Sequence, residues 1–196
     1  MEERWRCFVA VPLGETLRGE LSVAVDALRA KAPDAFDELR WTEPEGWHLT
    51  LAFLGPISPD AVPALAASMT GVAVTHPPFA VPTGGLGAFP SRRDVRVLWY
   101  GVTDRSRRLA ELAVEVRNAV GLEGSAPFRA HLTLARAHGD RGNPLTPVIR
   151  DAVFPAGVLN VERLVLYRGH LGAGPARYES LVEAALAAPA PAGGNR

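Results

Sequence analysis

The pentapeptide His-Leu-Thr-Leu-Ala occurs twice in the chain, at 48–52 and at 131–135. The scarce letters, His and Thr, fall in register, so the echo reads as a duplicated structural element. In a β-strand, successive side chains point to opposite faces. His48 and Thr50 therefore share one face and Leu49 and Leu51 the other, and the same division separates His131 and Thr133 from Leu132 and Leu134. The Leu pairs can anchor each strand in a core. The His and Thr pairs are presented to whatever lies opposite. A chain built this way must bury two apolar strand faces and display two polar ones, and two lobes related by a pseudo-twofold do both.

The surroundings of the motif repeat as well. Residues 5–13 read as a strand, followed by a helix of roughly two dozen residues with Leu17, Leu21, Val25 and Leu28 on one face and a stop near Pro33. The stretch 47–54 reads as a strand ending at Gly55-Pro56. Ser58-Pro59-Asp60 has the form of an N-cap with Pro at the first helical position, opening a helix through Val62, Leu65, Ala66 and Met69 to Gly71. Residues 79–102 read as two strands with a Gly-rich stretch and a basic turn, Arg92, Arg93 and Arg96, between them. Asp104 can cap a helix whose stripe of Leu109, Leu112, Ala113, Val116 and Val120 ends at Gly121. Residues 128–136 and 161–169 read as further strands. Strand, helix and motif strand thus recur in both halves. The expected fold is α+β: two pseudo-symmetric lobes with antiparallel-rich sheets lining a central cleft and helices outside. No linker separates the halves, so a single domain over 1–186 with one shared core is expected, followed by a disordered tail, 187–196.

Composition narrows the function classes. With 47% hydrophobic residues in 196, the chain can bury a sizeable core. Its formal net charge of zero argues against a dedicated binder of long nucleic acid. Lys31 is the only Lys, every other basic residue being Arg. Arg is the better fork for phosphate oxygens, although a GC-rich coding sequence has the same effect on composition. Cys7 is the only Cys, which excludes an intramolecular disulfide and a Cys-based metal cluster. Two acids precede the only short apolar run at the N-terminus, so neither a signal peptide nor a membrane span is read there, and a cytoplasmic location is the default expectation.

Two matched imidazoles suggest specific chemistry. They could supply half of a zinc shell, but no nearby Asp, Glu or Cys has ligand spacing, and Thr is a poor zinc ligand. Because their ordinary pKa lies near neutrality, they suit a general acid and a general base working on one substrate. Thr hydroxyls beside them can donate hydrogen bonds to anionic oxygens. Such a set fits in-line displacement at phosphorus.

Two H-x-T-x motifs on duplicated lobes resemble the 2H phosphoesterases, and among these the bacterial and archaeal RNA 2′,3′-cyclic phosphodiesterases, historically called 2′-5′ RNA ligases. The likeness runs through RCFVAVPL, RWTEPEGWHLTLAFLG, GGLGAFPSRRDVRVLW, PFRAHLTLAR and LYRGHLGAGPARYESL. It implies that His48 donates a proton to the leaving 3′ oxygen and that His131 activates water. Thr50 and Thr133 would bind the phosphate oxygens, and Arg136 the phosphate or the terminal nucleotide. Arg136 is one residue out of phase with His131 and Thr133 on an ideal strand, so a bulge or twist is needed to bring it in. The chain departs from the family pattern at Gly169, where Ser is frequent, and at 174–177, where GPAR replaces Gly-Gly-Ala-Arg.

The resemblance implies no cofactor and no metal, RNA ends or small cyclic nucleotides as substrate, no membrane association and no obligate protein partner. Three readings remain open at this stage: metal-independent hydrolysis of a 2′,3′-cyclic phosphate, 2′-5′ ligation or hydrolysis of another small cyclic phosphate, and a non-catalytic RNA-end-binding module. Trp47 and Phe53 are expected in the core, Phe89 is a candidate for base stacking, and His76, His138 and His170 have no assigned role.

Overall fold

The densest apolar run in the first half of the chain, residues 7–11, is buried throughout and lies in the first strand of the sheet. In this computed structural model, the described residues are 3–37, 39–124, 127–139, 142, 144–170 and 176–187. They form, in chain order, β1 (Trp5–Pro12), α1 (Glu15–Lys31), α2 (Pro33–Phe36), β2 (Leu39–Trp41), β3 (His48–Ile57), α3 (Val62–Ala73), β4 (Phe79–Ser91), β5 (Asp94–Val102), α4 (Arg108–Ala119), β6 (His131–Ala137), α5 (Thr146–Asp151), β7 (Gly157–Val161), β8 (Arg163–His170) and β9 (Arg177–Ala185).

The sheet runs β7-β4-β5-β6-β3-β1-β8-β9, with β2 added beside β6. All pairings are antiparallel. The two motif strands, β3 and β6, are central neighbours. Outward from that seam the order is β3-β1-β8-β9 on one side and β6-β5-β4-β7 on the other, which is the expected pseudo-twofold. The units β1–α1–β3 and β5–α4–β6 are its repeated strand–helix–strand segments. The chain is α+β, and one sheet serves both lobes. The lobes are not contiguous in sequence, because the C-terminal strands β8 and β9 complete the lobe that the N-terminus begins.

Topology alone requires the sheet to curl. β7 and β8 are six strand spacings apart in the order, which in a flat sheet is roughly 29 Å. Only Glu162 separates them in sequence, and one residue spans at most about 3.5 Å. The sheet is accordingly an antiparallel half-barrel. Leu186 N–H donates to the Glu162 carbonyl at 2.8 Å, tying the end of β9 to this crossover. Leu49, Leu51, Leu132 and Leu134 are fully buried and share one core with the helix faces Leu17, Leu21, Val25 and Leu28 of α1 and Leu109, Leu112, Ala113 and Val116 of α4. The other face of the motif strands is left open.

Several boundaries differ from the sequence reading, each for a local reason. α1 ends at Lys31 because a residue before proline disfavours helical geometry; Ala32 is extended in φ, and Pro33 opens the separate short α2. β3 runs through Gly55-Pro56 to Ile57, since a bulge at Leu54 is absorbed with Gly55 at φ +71 and the pairing to β1 resumes at Gly55 opposite Cys7. The Gly-rich stretch lies inside β4, not between two strands: a register shift between Thr83 and Leu86 accommodates Gly84 and Gly85. Asp104 does receive a helix donor, the Ala110 N–H at 2.9 Å, but from outside the cap position, which Arg107 occupies. α4 ends in a Schellman arrangement at Gly121, φ +77, with Leu122 N–H on the Arg117 carbonyl and Gly121 N–H on that of Asn118. The run 161–169 is two strands, not one. Of the tail, 188–196 lie outside the described residues.

Candidate active site

In both motif strands the polar face turns to the open side, as the alternation requires, and then the alternation breaks at the same place. Burial along β3 reads half-buried, buried, half-buried, buried, buried, exposed from His48 to Phe53, and β6 repeats it from His131 to Arg136. The cause is a bulge in each. Against β1, Val9 pairs with Ala52 and Ala10 with Thr50, so Leu51 is extra. Against β5, Leu98 pairs with Ala135 and Trp99 with Thr133, so Leu134 is extra. The displaced Leu51 carbonyl accepts from Arg117 Nε at 2.8 Å; the Leu134 carbonyl accepts from Thr42 N–H at 2.8 Å. Each bulge turns the sixth residue of its motif onto the His–Thr face. Arg136 reaches the cleft in this way, and so does Phe53.

β3 and β6 meet in the register Leu49 opposite Leu132. Antiparallel pairing then sets His48 beside Thr133 and Thr50 beside His131. Past that point β6 changes partner: Ala135, Arg136 and Ala137 pair with Trp41, Arg40 and Leu39 of β2. The seam opens there into a cleft of about 660 Å³ whose walls include His48, Thr50, Thr133 and Arg136. His131 is not part of that wall; it lies across the seam, next to Thr50.

The two imidazoles are held in the same manner. His48 Nδ1 lies 2.6 Å from the Gly46 carbonyl and His131 Nδ1 lies 2.6 Å from the Arg129 carbonyl. A carbonyl only accepts, so each Nδ1 carries the proton and each Nε2 is left for other work. Aromatic rings back both. Phe8 stacks on His48 at 4.6 Å between centroids and Tyr178 meets it edge-on at 5.0 Å. Phe89 meets His131 edge-on at 4.9 Å, with Trp99 at 6.4 Å. Gly87 makes this possible, because a Cβ there would overlap the Trp99 indole.

Burial among these rings lowers both imidazole pKa values. That of His48 falls to about 4, chiefly by desolvation, partly offset by the Gly46 hydrogen bond and deepened by the Arg136 and His131 charges. That of His131 is lowered for the same first reason, its Arg129 bond opposing and the Arg136 and Arg129 charges adding. The electrostatic coupling of His48 to His131 and of both to Arg136 places the three in one field. Cleft-wall residues among those described include Arg6, Arg40 and Arg136 but no Asp or Glu. The cleft therefore combines cationic and hydrogen-bonding side chains with the aromatic rings of Phe8, Trp41, Phe53 and Tyr178, which suits an anion attached to a planar or apolar group. Among the described residues no three His, Cys, Asp or Glu side chains gather as a metal shell, and no helix is long and apolar enough to cross a membrane.

The family description "LigT-like phosphoesterase" matches residues 13–99, a span that includes the first motif. A relative from Methanothermobacter thermautotrophicus, named RNA 2′,3′-cyclic phosphodiesterase, is 31% identical over 179 residues, covering 87% of this chain and 93% of its own. The chain belongs to the LigT-like phosphoesterases. A relative of the same name from Geobacillus stearothermophilus is 31% identical over 91% of this chain, but the chain spans only 56% of that relative's length. The crystal structure of Escherichia coli LigT complexed with 3′-AMP superposes with a TM-score of 0.70 at 27% identity, covering 94% of this chain and 99% of that one.

Within this LigT-like phosphoesterase, the structure corrects one aromatic assignment and adds residues. Trp47 is core, 2% exposed, but Phe53 is 65% exposed in the cleft. The bulge invoked for Arg136, applied to the matching Phe53, would have found it. Phe8, Arg40 and Tyr178 were not read as site residues. Phe8 looks like any apolar residue of β1, and Tyr178 belongs to β9, which the sequence reading did not assign as a strand. His170 and Gly169, the position that departs from the family pattern, both line the cleft, and His170 pairs with Glu179 at 2.9 Å. The basic turn is exposed and away from the cleft wall: Arg96 pairs with Asp94 at 3.3 Å and Arg92 donates to the Leu86 carbonyl. Residues 174 and 175 of GPAR lie outside the described residues.

Proposed function

We propose that this phosphoesterase hydrolyses RNA 2′,3′-cyclic phosphate ends to 2′-phosphomonoesters by acid–base catalysis between His48 and His131, without a metal ion. The observation that carries the reading is the matched pair of imidazoles, each fixed in the Nδ1–H tautomer by a backbone carbonyl, on strands that meet at the pseudo-twofold. The name shared by the relatives, and the complex of LigT with a nucleoside 3′-monophosphate, support the substrate class.

In the proposed step, His131 Nε2 takes a proton from water as the water oxygen bonds to phosphorus. The P–O3′ bond breaks on the opposite side, and His48 delivers its Nε2 proton to O3′. One water is consumed and the phosphate stays on O2′. Thr50 and Thr133 donate to the non-bridging oxygens, whose charge grows in the transition state, and Arg136 meets the same group as a fork. Burial keeps both imidazoles neutral near pH 7 in the free protein. The proton on His48 is thus acquired with the substrate, whose negative charge stabilises the imidazolium.

The test is a short RNA bearing a 2′,3′-cyclic phosphate, incubated with the protein in EDTA and followed by phosphorus NMR. A 2′-phosphate product is expected. A 3′-phosphate as the main species would exchange the roles of the two His, loss of activity in EDTA would overturn metal independence, and binding without turnover even with divalent metal restored would favour an RNA-end-binding module.

A further inference from the structure

Arg40 sets a second positive charge beside Arg136 in the cleft wall. In the β2–β6 ladder its Cα partner is Arg136, so the two side chains leave the same face of adjacent strands, from Cα atoms about 4.5–5.5 Å apart. Like charges directly opposed across an antiparallel pair destabilise it. Here neither guanidinium has an ion-pair partner among the described residues, and both line the cleft. Both charges also reach the opposite wall, where each acts to lower the pKa of the Tyr178 hydroxyl against the dominant upward effect of burial. A cationic pair of this kind is retained against its own repulsion when an anion completes it.

A single cyclic phosphodiester does not complete it. That group carries one negative charge, and in the reading above, on which this inference rests, Arg136 and the two Thr already meet it. A nucleoside whose O2′ and O3′ are both tied up in the cyclic phosphate has one other oxygen that normally bears phosphate, O5′. We infer that Arg40 forms a second anion subsite for the phosphate on O5′ of the terminal nucleotide, the phosphodiester that joins it to the rest of an RNA chain. The preferred substrate class is then an oligonucleotide end, or a 5′-phosphorylated nucleotide, over a bare nucleoside 2′,3′-cyclic phosphate.

The experiment compares kcat/KM for three compounds: a nucleoside 2′,3′-cyclic phosphate, the same compound with a 5′-phosphate, and a dinucleotide ending in a cyclic phosphate. Wild type should favour the second and third over the first by about tenfold or more, the worth of one charge-assisted contact, and Arg40→Gln should remove most of that advantage. The ratio is the readout, since damage to the fold or to the chemistry lowers all three alike. An unchanged ratio in Arg40→Gln, or no preference in wild type, overturns the subsite. If wild type turns over none of them, the hydrolytic reading fails, and the subsite is judged by calorimetry with non-reacting probes. A nucleoside 3′,5′-bisphosphate should then bind about tenfold more tightly than the 3′-monophosphate in wild type and equally in Arg40→Gln. Equal binding to wild type would sink it.

Discussion

Acidification should expose the cost of burying His48. In an unfolded chain its imidazole titrates near 6.5; in the folded protein the value is about 4. Above pH 6.5 both states hold it neutral and it contributes nothing to the pH dependence. Between 6.5 and about 4 the unfolded chain binds a proton that the folded one rejects, so stability falls as pH falls. Below about 4 both states are protonated and the loss is complete. At 1.36 kcal/mol per pKa unit, the gap amounts to about 3 kcal/mol, a large share of the 5–15 kcal/mol typical of a domain. The assay is urea unfolding of wild type and His48→Gln at pH 7.5 and 4.5 in a buffer free of phosphate, beside NMR titration of the imidazole. Wild type should lose roughly 2–3 kcal/mol more than the variant over that range, because carboxylate effects are common to both. Added phosphate should raise the His48 pKa and shrink the difference. A His48 that titrates at or above 6.5 in the free folded protein, or identical pH slopes for the two proteins, would refute the reasoning.

His48→Ala and His131→Ala should each lower kcat by about 10²–10⁴-fold with unchanged circular dichroism, and Thr50→Ala and Thr133→Ala should cost less; near-normal turnover in either His variant contradicts the acid–base assignment. Arg136→Lys should lower kcat/KM roughly tenfold or more, because an ammonium cannot reproduce the fork, and wild-type kinetics would show that Arg136 is no bidentate ligand. The bell-shaped profile of kcat/KM, which reports the free enzyme, should lie on the acid side of that of kcat: both imidazole pKa values are lowered in the free protein, and a bound anion raises them. Coincident profiles would argue that substrate does not recruit the proton. Gly87→Ala should destabilise the protein by about 1–3 kcal/mol and lower activity, since the displaced Trp99 ring supports Phe89 and His131; an unchanged melting temperature would show that the indole has another place to go.

What was legible in the sequence was whatever period and repetition express. The His–Leu–Thr–Leu alternation identified the polar and buried faces of both strands, and the duplication identified the pseudo-twofold that makes them neighbours. The out-of-phase position of Arg136 even called for the bulge that the Leu134 register shows. Partnerships between distant segments were not legible. Three residues of β2 carry too little pattern to announce a strand, yet they supply Arg40 and Trp41 to the cleft. The sequence RYESLVEAA lacks the apolar alternation of a half-buried strand because β9 is an edge with much of its surface exposed. The Gly-rich run of β4 reads locally as a turn, and only its pairing to β5 and β7 keeps it in the sheet.

The single-residue crossover at Glu162 also bears on how the protein is made. β1 is made before every other strand of the sheet, yet its second partner, β8, is one of the last two strands to follow. β4 likewise waits for β7. Until residues 157–185 have emerged, both strands are open edges with unpaired backbone groups, the kind of surface on which nascent chains join one another. The last strands therefore cover the open edges of β4 and β1 in one continuous pass. The order of synthesis leaves the LigT-like half-barrel most vulnerable to aggregation just before it is complete, and pairings so distant in sequence form slowly.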